Sequence, residues 1–167
     1  MWTIPGSSNA FDKVLHSGLL KKLLNKNMPL SLVGLLNNWY SRLCCSVKYN
    51  RVIRERFKAL CGFCQGGVLS PYLFALYVDD LADNLRFSGY GLHVGSLFVG
   101  CIFYADDIVL LSPTCFGLQQ LLNICEQFAS NWDIKFNTDK SQLITFGGRN
   151  TYSSKLSLYE WLTVNVG

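Results

Sequence analysis

The stretch Phe103-Tyr104-Ala105-Asp106-Asp107-Ile108-Val109-Leu110 decides how this chain folds. Two short apolar runs, Leu97 to Tyr104 and Ile108 to Leu111, flank Ala105-Asp106-Asp107. Runs of that length, rich in β-branched and aromatic residues, predict strands. So short a link makes them an antiparallel hairpin with both acids at its tip. Adjacent carboxylates repel, and such a pair persists most readily where a cation neutralises it. Mg²⁺ is the natural cation for a hard, all-oxygen site. The same acids also suit a turn that uses Asp for its local hydrogen bonding alone.

Upstream of the hairpin, Ser70-Pro71 has the form of a helix start, with Ser as N-cap and Pro in the first turn. Leu73, Phe74, Tyr77, Leu81 and Leu85 continue at helical spacing, and the helix is expected to end near Gly89. This helix carries a second Tyr-x-Asp-Asp, Tyr77-Val78-Asp79-Asp80. Its acids point about 100° apart on a helical cylinder and read as a solvated face. Nearer the N-terminus, Val14, Leu15, Leu19, Leu20 and Leu23 predict a helix from Asp12 to about Lys26. Pro29 permits a second, to about Leu43, and residues 44–60 read as two short strands around Asn50-Arg51. Downstream, positions 118, 121, 122, 125, 128, 129 and 132 give the cleanest helical stripe, ending before Asn137. Gln142 to Phe146 reads as a strand, and the residues from about Gly148 carry no strong signal. The order α α β β α β β α β is an α+β pattern with an antiparallel sheet.

The chain has 167 residues, of which 50% are hydrophobic and 16% charged. An average domain carries about 25% charged residues, so disorder is excluded. Little charge on so small a chain implies either an unusually apolar surface or a part of a larger body. The net charge of +4 hides a split. Residues 1–61 hold ten Lys and Arg against Asp12 and Glu55, a balance of +8; the remainder balances to −4. A basic stretch beside an acidic one suits a polyanion meeting a metal-binding centre, or simply a solvated surface. There are seven cysteines, an odd number, and MWTIPGSSNA has neither the basic nor the apolar region of a signal peptide. An intracellular, reducing location without secretion is therefore expected, with the cysteines, Cys61 and Cys64 of the CxxC included, serving as packing. No membrane role is expected. The most apolar stretch, Val94 to Leu111, contains Asp106 and Asp107, each costing about 2.5–3.5 kcal/mol at a bilayer centre.

Three further stretches join the hairpin. They are Ala10-Phe11-Asp12-Lys13-Val14 with His16; Gly62-Phe63-Cys64-Gln65-Gly66-Gly67-Val68-Leu69-Ser70-Pro71 with Leu73-Phe74; and Trp132 through Phe146, with Phe136-Asn137 and Lys140-Ser141. Together these four resemble, in the family's order, the palm motifs of reverse transcriptases of LINE-type (non-LTR) retrotransposons. The resemblance covers residues 10–147; residues 1–9 and 148–167 are divergent ends.

The resemblance implies an incomplete polymerase palm, an antiparallel sheet with helices packed on one face. Its fingers and thumb regions would normally cover part of its apolar surface, which predicts exposed apolar patches here. It implies RNA-templated DNA synthesis from dNTPs on an RNA template and a DNA primer, by a two-metal-ion mechanism with Mg²⁺. Asp106 and Asp107 would be the catalytic and metal-holding pair, and Tyr104 would support the hairpin near the primer end. Phe11 would sit below the sugar, Gln65 and Gly66 would underlie the incoming nucleotide, and Lys140 would lie near the triphosphate. One departure matters. The family's first motif carries a metal-binding Asp six residues before Asp12, where this chain has Gly6. Residues 1–9 hold no acid, and the hydrophobic strand expected to precede them is missing. The expectation is a reverse transcriptase fragment that is inactive as an isolated chain. The alternative is a non-catalytic remnant that binds nucleic acid through its basic first third.

Overall fold

A computed structural model describes residues 2–4, 13–63, 66–137 and 141–144. In chain order the elements are β1 (Trp2–Ile4), α1 (His16–Asn25), α2 (Leu30–Ser41), β2 (Cys44–Cys45), β3 (Lys48–Tyr49), β4 (Val52–Ile53), β5 (Phe57–Lys58) and α3 (Ser70–Phe87). After them come β6 (His93–Val94), β7 (Leu97–Phe98), β8 (Cys101–Tyr104), β9 (Asp107–Leu110), α4 (Cys115–Trp132) and β10 (Gln142–Leu143). The architecture is mixed α+β, with antiparallel pairing throughout. The chain divides into two units, Phe11–Tyr77 and Met1–Ala10 with Val78–Gly167, and α3 runs from one into the other.

In the Phe11–Tyr77 unit, α1 buries Leu19, Lys22 and Leu23, and α2 buries Val33, Leu36 and Tyr40. Both sets follow the i, i+3, i+4, i+7 spacing that puts side chains on one helical face. α2 begins directly after Pro29, whose missing N–H costs nothing at a helix entrance. Lys22 was not legible as core, yet it is 2% exposed. Its Nζ donates to the Tyr77 carbonyl and lies 5.1 Å from the Tyr77 ring centroid, so a hydrogen bond and a cation–π contact replace lost water. Leu15, on the expected apolar stripe, is exposed instead.

Residues 44–60 form four short strands rather than two. β3 and β4 close on Asn50 and Arg51, both left-handed at φ 47° and 63°, the turn whose twist suits paired strands. β2 and β5 pair farther out, Cys44 opposite Lys58. Every residue of this ribbon's strands is exposed. Beyond it the chain returns to the start of α1. Leu15 bridges Cys61, Gly62 N–H donates to the Val14 carbonyl at 2.9 Å, and His16 Nε2 donates to the Gly62 carbonyl at 2.7 Å. The His16 ring stacks on Tyr40 at 4.3 Å, and Tyr40 meets Phe63 at 6.2 Å.

α3 starts one residue earlier than its Ser-Pro pair suggested. Leu69 offers the carbonyl that accepts from Leu73 N–H, which puts Ser70 inside the first turn. Asp79 and Asp80 are half-buried, not a solvated face, because Tyr77, Val78 and Leu81 around them are buried. The helix stops where Ser88 Oγ donates to the Leu85 carbonyl and Gly89 turns left-handed at φ 77°.

The second unit holds a four-stranded sheet of order β10-β1-β9-β8. Trp2–Ile4, a stretch for which the sequence predicts no element, is an interior strand, antiparallel to β9 and to β10. Three residues are too few to show a period, and this strand exists because it is paired on both edges. The Leu97 to Tyr104 run is not one strand. It breaks at Val99-Gly100, and its first half pairs back as β7 with β6. Gly100 is there because backbones meet: a Cβ would lie 2.8 Å from Gly91 Cα and 2.5 Å from the Phe98 ring. α4 is the helix the apolar stripe predicts, burying Leu118, Leu121, Leu122, Cys125, Phe128 and Ala129. Thr114 caps it by accepting from Gly117 N–H, and left-handed Asp133 ends it.

The cysteines depart from expectation. Cys44, Cys45, Cys61 and Cys115 are exposed, and among the described residues only Cys125 is fully buried. Burial drives the Cys125 thiol pKa strongly upward, with nearby Cys101 adding to the effect. Cys64 lies outside the described residues. Large apolar side chains do stand exposed, among them Leu30, Leu60, Val68 and Phe87.

Three substitutions test this account by urea denaturation. Gly100→Ala is expected to destabilise by about 1–3 kcal/mol, since both the Phe98 ring and the Gly91 backbone must yield. Gly34→Ala, inside α2 with nothing within 4 Å of the added methyl, is expected to stabilise by about 0.5–1 kcal/mol. His16→Phe keeps the ring on Tyr40 but strips the Gly62 carbonyl of its side-chain donor, and is expected to cost about 1–2 kcal/mol.

Candidate functional site

The hairpin closes on two residues, Ala105 and Asp106, with Tyr104 directly opposite Asp107. Ala105 adopts φ 51°. A left-handed residue suits the strand twist, and bearing a Cβ there costs about 1–2 kcal/mol. The pairing sorts the side chains. Phe103 faces Ile108 and Cys101 faces Leu110, with Ile108 and Leu110 buried. The alternate pairs, Ile102 with Val109 and Tyr104 with Asp107, belong to the opposite, more open face. Tyr104 is 80% exposed, Asp107 is exposed and Asp106 half-buried. The two carboxylates therefore sit at an accessible tip, fixed by a sheet whose other face is buried.

β1 bears on this tip by direction. Trp2 pairs with Leu110, Thr3 with Val109 and Ile4 with Ile108, so β1 runs toward the end of β9 that carries the acids. Gly6 follows Ile4 by two residues in the sequence and lies outside the described residues.

Of the residues singled out from the sequence, the structure brings together Tyr104, Asp106 and Asp107. Gly66 belongs to the other unit, at φ 81° with nothing within 4 Å of a would-be Cβ. A backbone so bare and left-handed is open to close approach by a ligand. Phe11, Gln65 and Lys140 lie outside the described residues. Among the described residues, no three His, Cys, Asp or Glu side chains cluster as metal ligands. The hairpin supplies two hard oxygen donors.

Sequence reasoning missed how the first and second motif stretches are joined. Val14 and His16 end one, Gly62 begins the other, and two hydrogen bonds between them, with the bridge from Leu15 to Cys61 alongside, hold them together. His16 stood inside a quoted motif, but its partner is 46 positions away, so no local pattern could name it. A second missed feature is a cavity of about 410 Å³ lined by Asp80, Asn84, Gln127, Asn131 and Trp132. Among the described residues, no helix is long and apolar enough to cross a membrane.

Comparison with known proteins agrees with the motif order. The family model described as reverse transcriptase (RNA-dependent DNA polymerase) matches residues 7–166. The chain is 32% identical over 160 residues to the Pol polyprotein of the type-2 retrotransposable element R2DM of Drosophila melanogaster, covering 96% of this chain and 15% of that protein. It is 27% identical over 155 residues to the RNA-directed DNA polymerase of the mobile element jockey, also of Drosophila melanogaster, covering 89% and 16%. A 149 kDa protein of transposon TX1 from Xenopus laevis is 28% identical over 134 residues, covering 79% and 10%. The chain thus spans about 15% of the length of the first two relatives. It belongs to the reverse transcriptase family, within the domain type carried by LINE-type, non-LTR retrotransposons.

Proposed function

We propose that this chain is the palm portion, centred on residues 10–147, of a retrotransposon polymerase that copies RNA into DNA. The observation that carries this reading is the carboxylate hairpin lying beside a strand that runs toward its tip. A strand running toward the acid-bearing end of the hairpin supports this reading, since metal-dependent nucleotidyl transfer needs donors gathered at one place.

In this reading Asp106 and Asp107 hold divalent cations, for which two carboxylates at an accessible tip are a fitting hard donor set. Mg²⁺ bound there would stabilise the attacking and leaving oxygens of phosphoryl transfer. The chain's own residues do the rest. Tyr104, across the strand pair from Asp107, supports the primer end. The resemblance would assign Gly66 and Gln65 to the incoming dNTP, Phe11 to its sugar and Lys140 to its triphosphate.

Gly6 leaves this donor set one carboxylate short. Positioning of reacting groups is worth about 7–11 kcal/mol of barrier in well-oriented reactions, so a weakly held metal forfeits much of the rate. The isolated chain is therefore read as inactive in synthesis. A second reading, nucleic-acid binding without catalysis, is favoured by the ten Lys and Arg against two acids in the Phe11–Tyr77 unit.

Primer extension tests the first reading. The purified chain, with a primed RNA template, dNTPs and Mg²⁺ or Mn²⁺, is expected to give no extended product. Extension that disappears in Asp106→Asn would overturn the inactive reading and establish the hairpin as the active centre.

A further inference from the structure

Within the Phe11–Tyr77 unit, the outer side of α2 and the base of the ribbon enclose a cleft of about 540 Å³. That volume is within the range of small-ligand sites. Leu35, Asn38, Trp39 and Arg42 line it from the helix side, and Cys44 and Arg56 from the ribbon. No acidic residue lines it. We infer that this cleft is a binding site for single-stranded nucleic acid, in which a base stacks on Trp39 and Arg42 and Arg56 hold the flanking phosphates.

Three observations carry the inference. The first is the state of Trp39, which is 49% exposed and yet braced. Its ring stacks on Tyr40 at 6.0 Å and 15°, and Tyr40 is itself buried and stacked on His16. An exposed aromatic braced by a buried neighbouring ring loses little freedom when a base is laid on it. Base–aromatic stacking contributes about 1–3 kcal/mol per base. The second is that the two charged residues lining the cleft are both Arg, with no carboxylate among the lining residues to balance them. Guanidinium groups match phosphate oxygens with paired donors, and an aromatic sharing one cleft with two of them offers partners for both base and phosphate. The third is the charge around the cleft. The ribbon that begins at Cys44 carries Lys48, Arg51, Arg54 and Lys58 on exposed positions, with Glu55 as its one acid. A polyanion is favoured there at long range as well as in contact. Stacking on Trp39 needs an unpaired base, which selects a single strand over a duplex.

This inference rests on the nucleic-acid part of the proposed function and is independent of the hairpin. Its test is fluorescence anisotropy of the full 167-residue chain with fluorescein-labelled 12-mers of oligouridine, of oligothymidine and of a duplex, in EDTA and without dNTPs. Single strands are expected to bind at low salt and weaken as salt rises, and the duplex is expected to bind at least about fivefold more weakly. Arg42→Glu with Arg56→Glu is expected to weaken single-strand binding about tenfold or more. A charge-matched control, Lys21→Glu with Lys26→Glu on exposed positions of α1 and its end, is expected to weaken it less than about threefold. Trp39→Ala is expected to cost about five- to tenfold without changing the salt dependence, and Trp39→Phe to recover most of that loss. Equal losses from the two double charge reversals, or a preference for duplex, would overturn the cleft assignment. Binding that is indifferent to Trp39, Arg42 and Arg56 together would also overturn it and turn this face over to a protein partner. Primer extension is a separate readout, unaffected by these three outcomes. A wild-type chain that binds no single strand at low salt would overturn the nucleic-acid-binding reading as a whole.

Discussion

The hairpin unit depends on the pairing of β9 with β8 on one side and β1 on the other. A strand's side chains alternate faces, so its register decides everything its neighbours present. With Tyr104 opposite Asp107 and Phe103 opposite Ile108, the apolar pairs are buried and the acids reach the tip. A slip of one residue would bury Asp107 and expose Leu110. The two-residue turn prevents the slip, and the left-handed Ala105 is the local strain that the paired strands outweigh. The Gly91–Gly100 approach adds a second constraint, since no side chain at position 100 would let those backbones meet.

The Phe11–Tyr77 unit works by a different device. Its ribbon is exposed throughout and would be marginal by itself. What anchors the return of the chain is the set of ties between Val14-Leu15-His16 and Cys61-Gly62. The ring series from His16 through Tyr40 to Trp39 then joins those ties to the exposed aromatic plane of the cleft. One arrangement thus ties the return of the chain to the cleft beside α2.

The elements that announce themselves over several turns were legible in the sequence. α4 appears with its whole buried stripe, α2 after its proline, and the Phe103–Leu110 hairpin with its acids at the tip. What was not legible has a common cause, dependence on partners distant in the chain. β1 is three residues long and exists through pairing more than a hundred positions away. Lys22 looks like surface until the Tyr77 carbonyl and ring are brought to it. The half-buried Asp79 and Asp80 likewise owe their environment to buried neighbours rather than to helical phase. That Tyr104, Asp106 and Asp107 gather at one hairpin tip was legible because adjacency in sequence made them adjacent in space. Trp39, Arg42 and Arg56 were not, because a helix and a ribbon had to meet before they lined one cleft.

The proposed function turns on β1, which runs toward the acid-bearing end of β9, and on Gly6, which stands two residues beyond it where the resemblance implies a further acid. The most direct measurement is Mn²⁺ binding, followed by electron paramagnetic resonance, to the chain and to its Gly6→Asp variant. The account predicts that Gly6→Asp tightens Mn²⁺ binding about tenfold or more, and that Asp106→Asn in the same background abolishes the gain. Equal Mn²⁺ affinity with and without the Gly6→Asp change would contradict it.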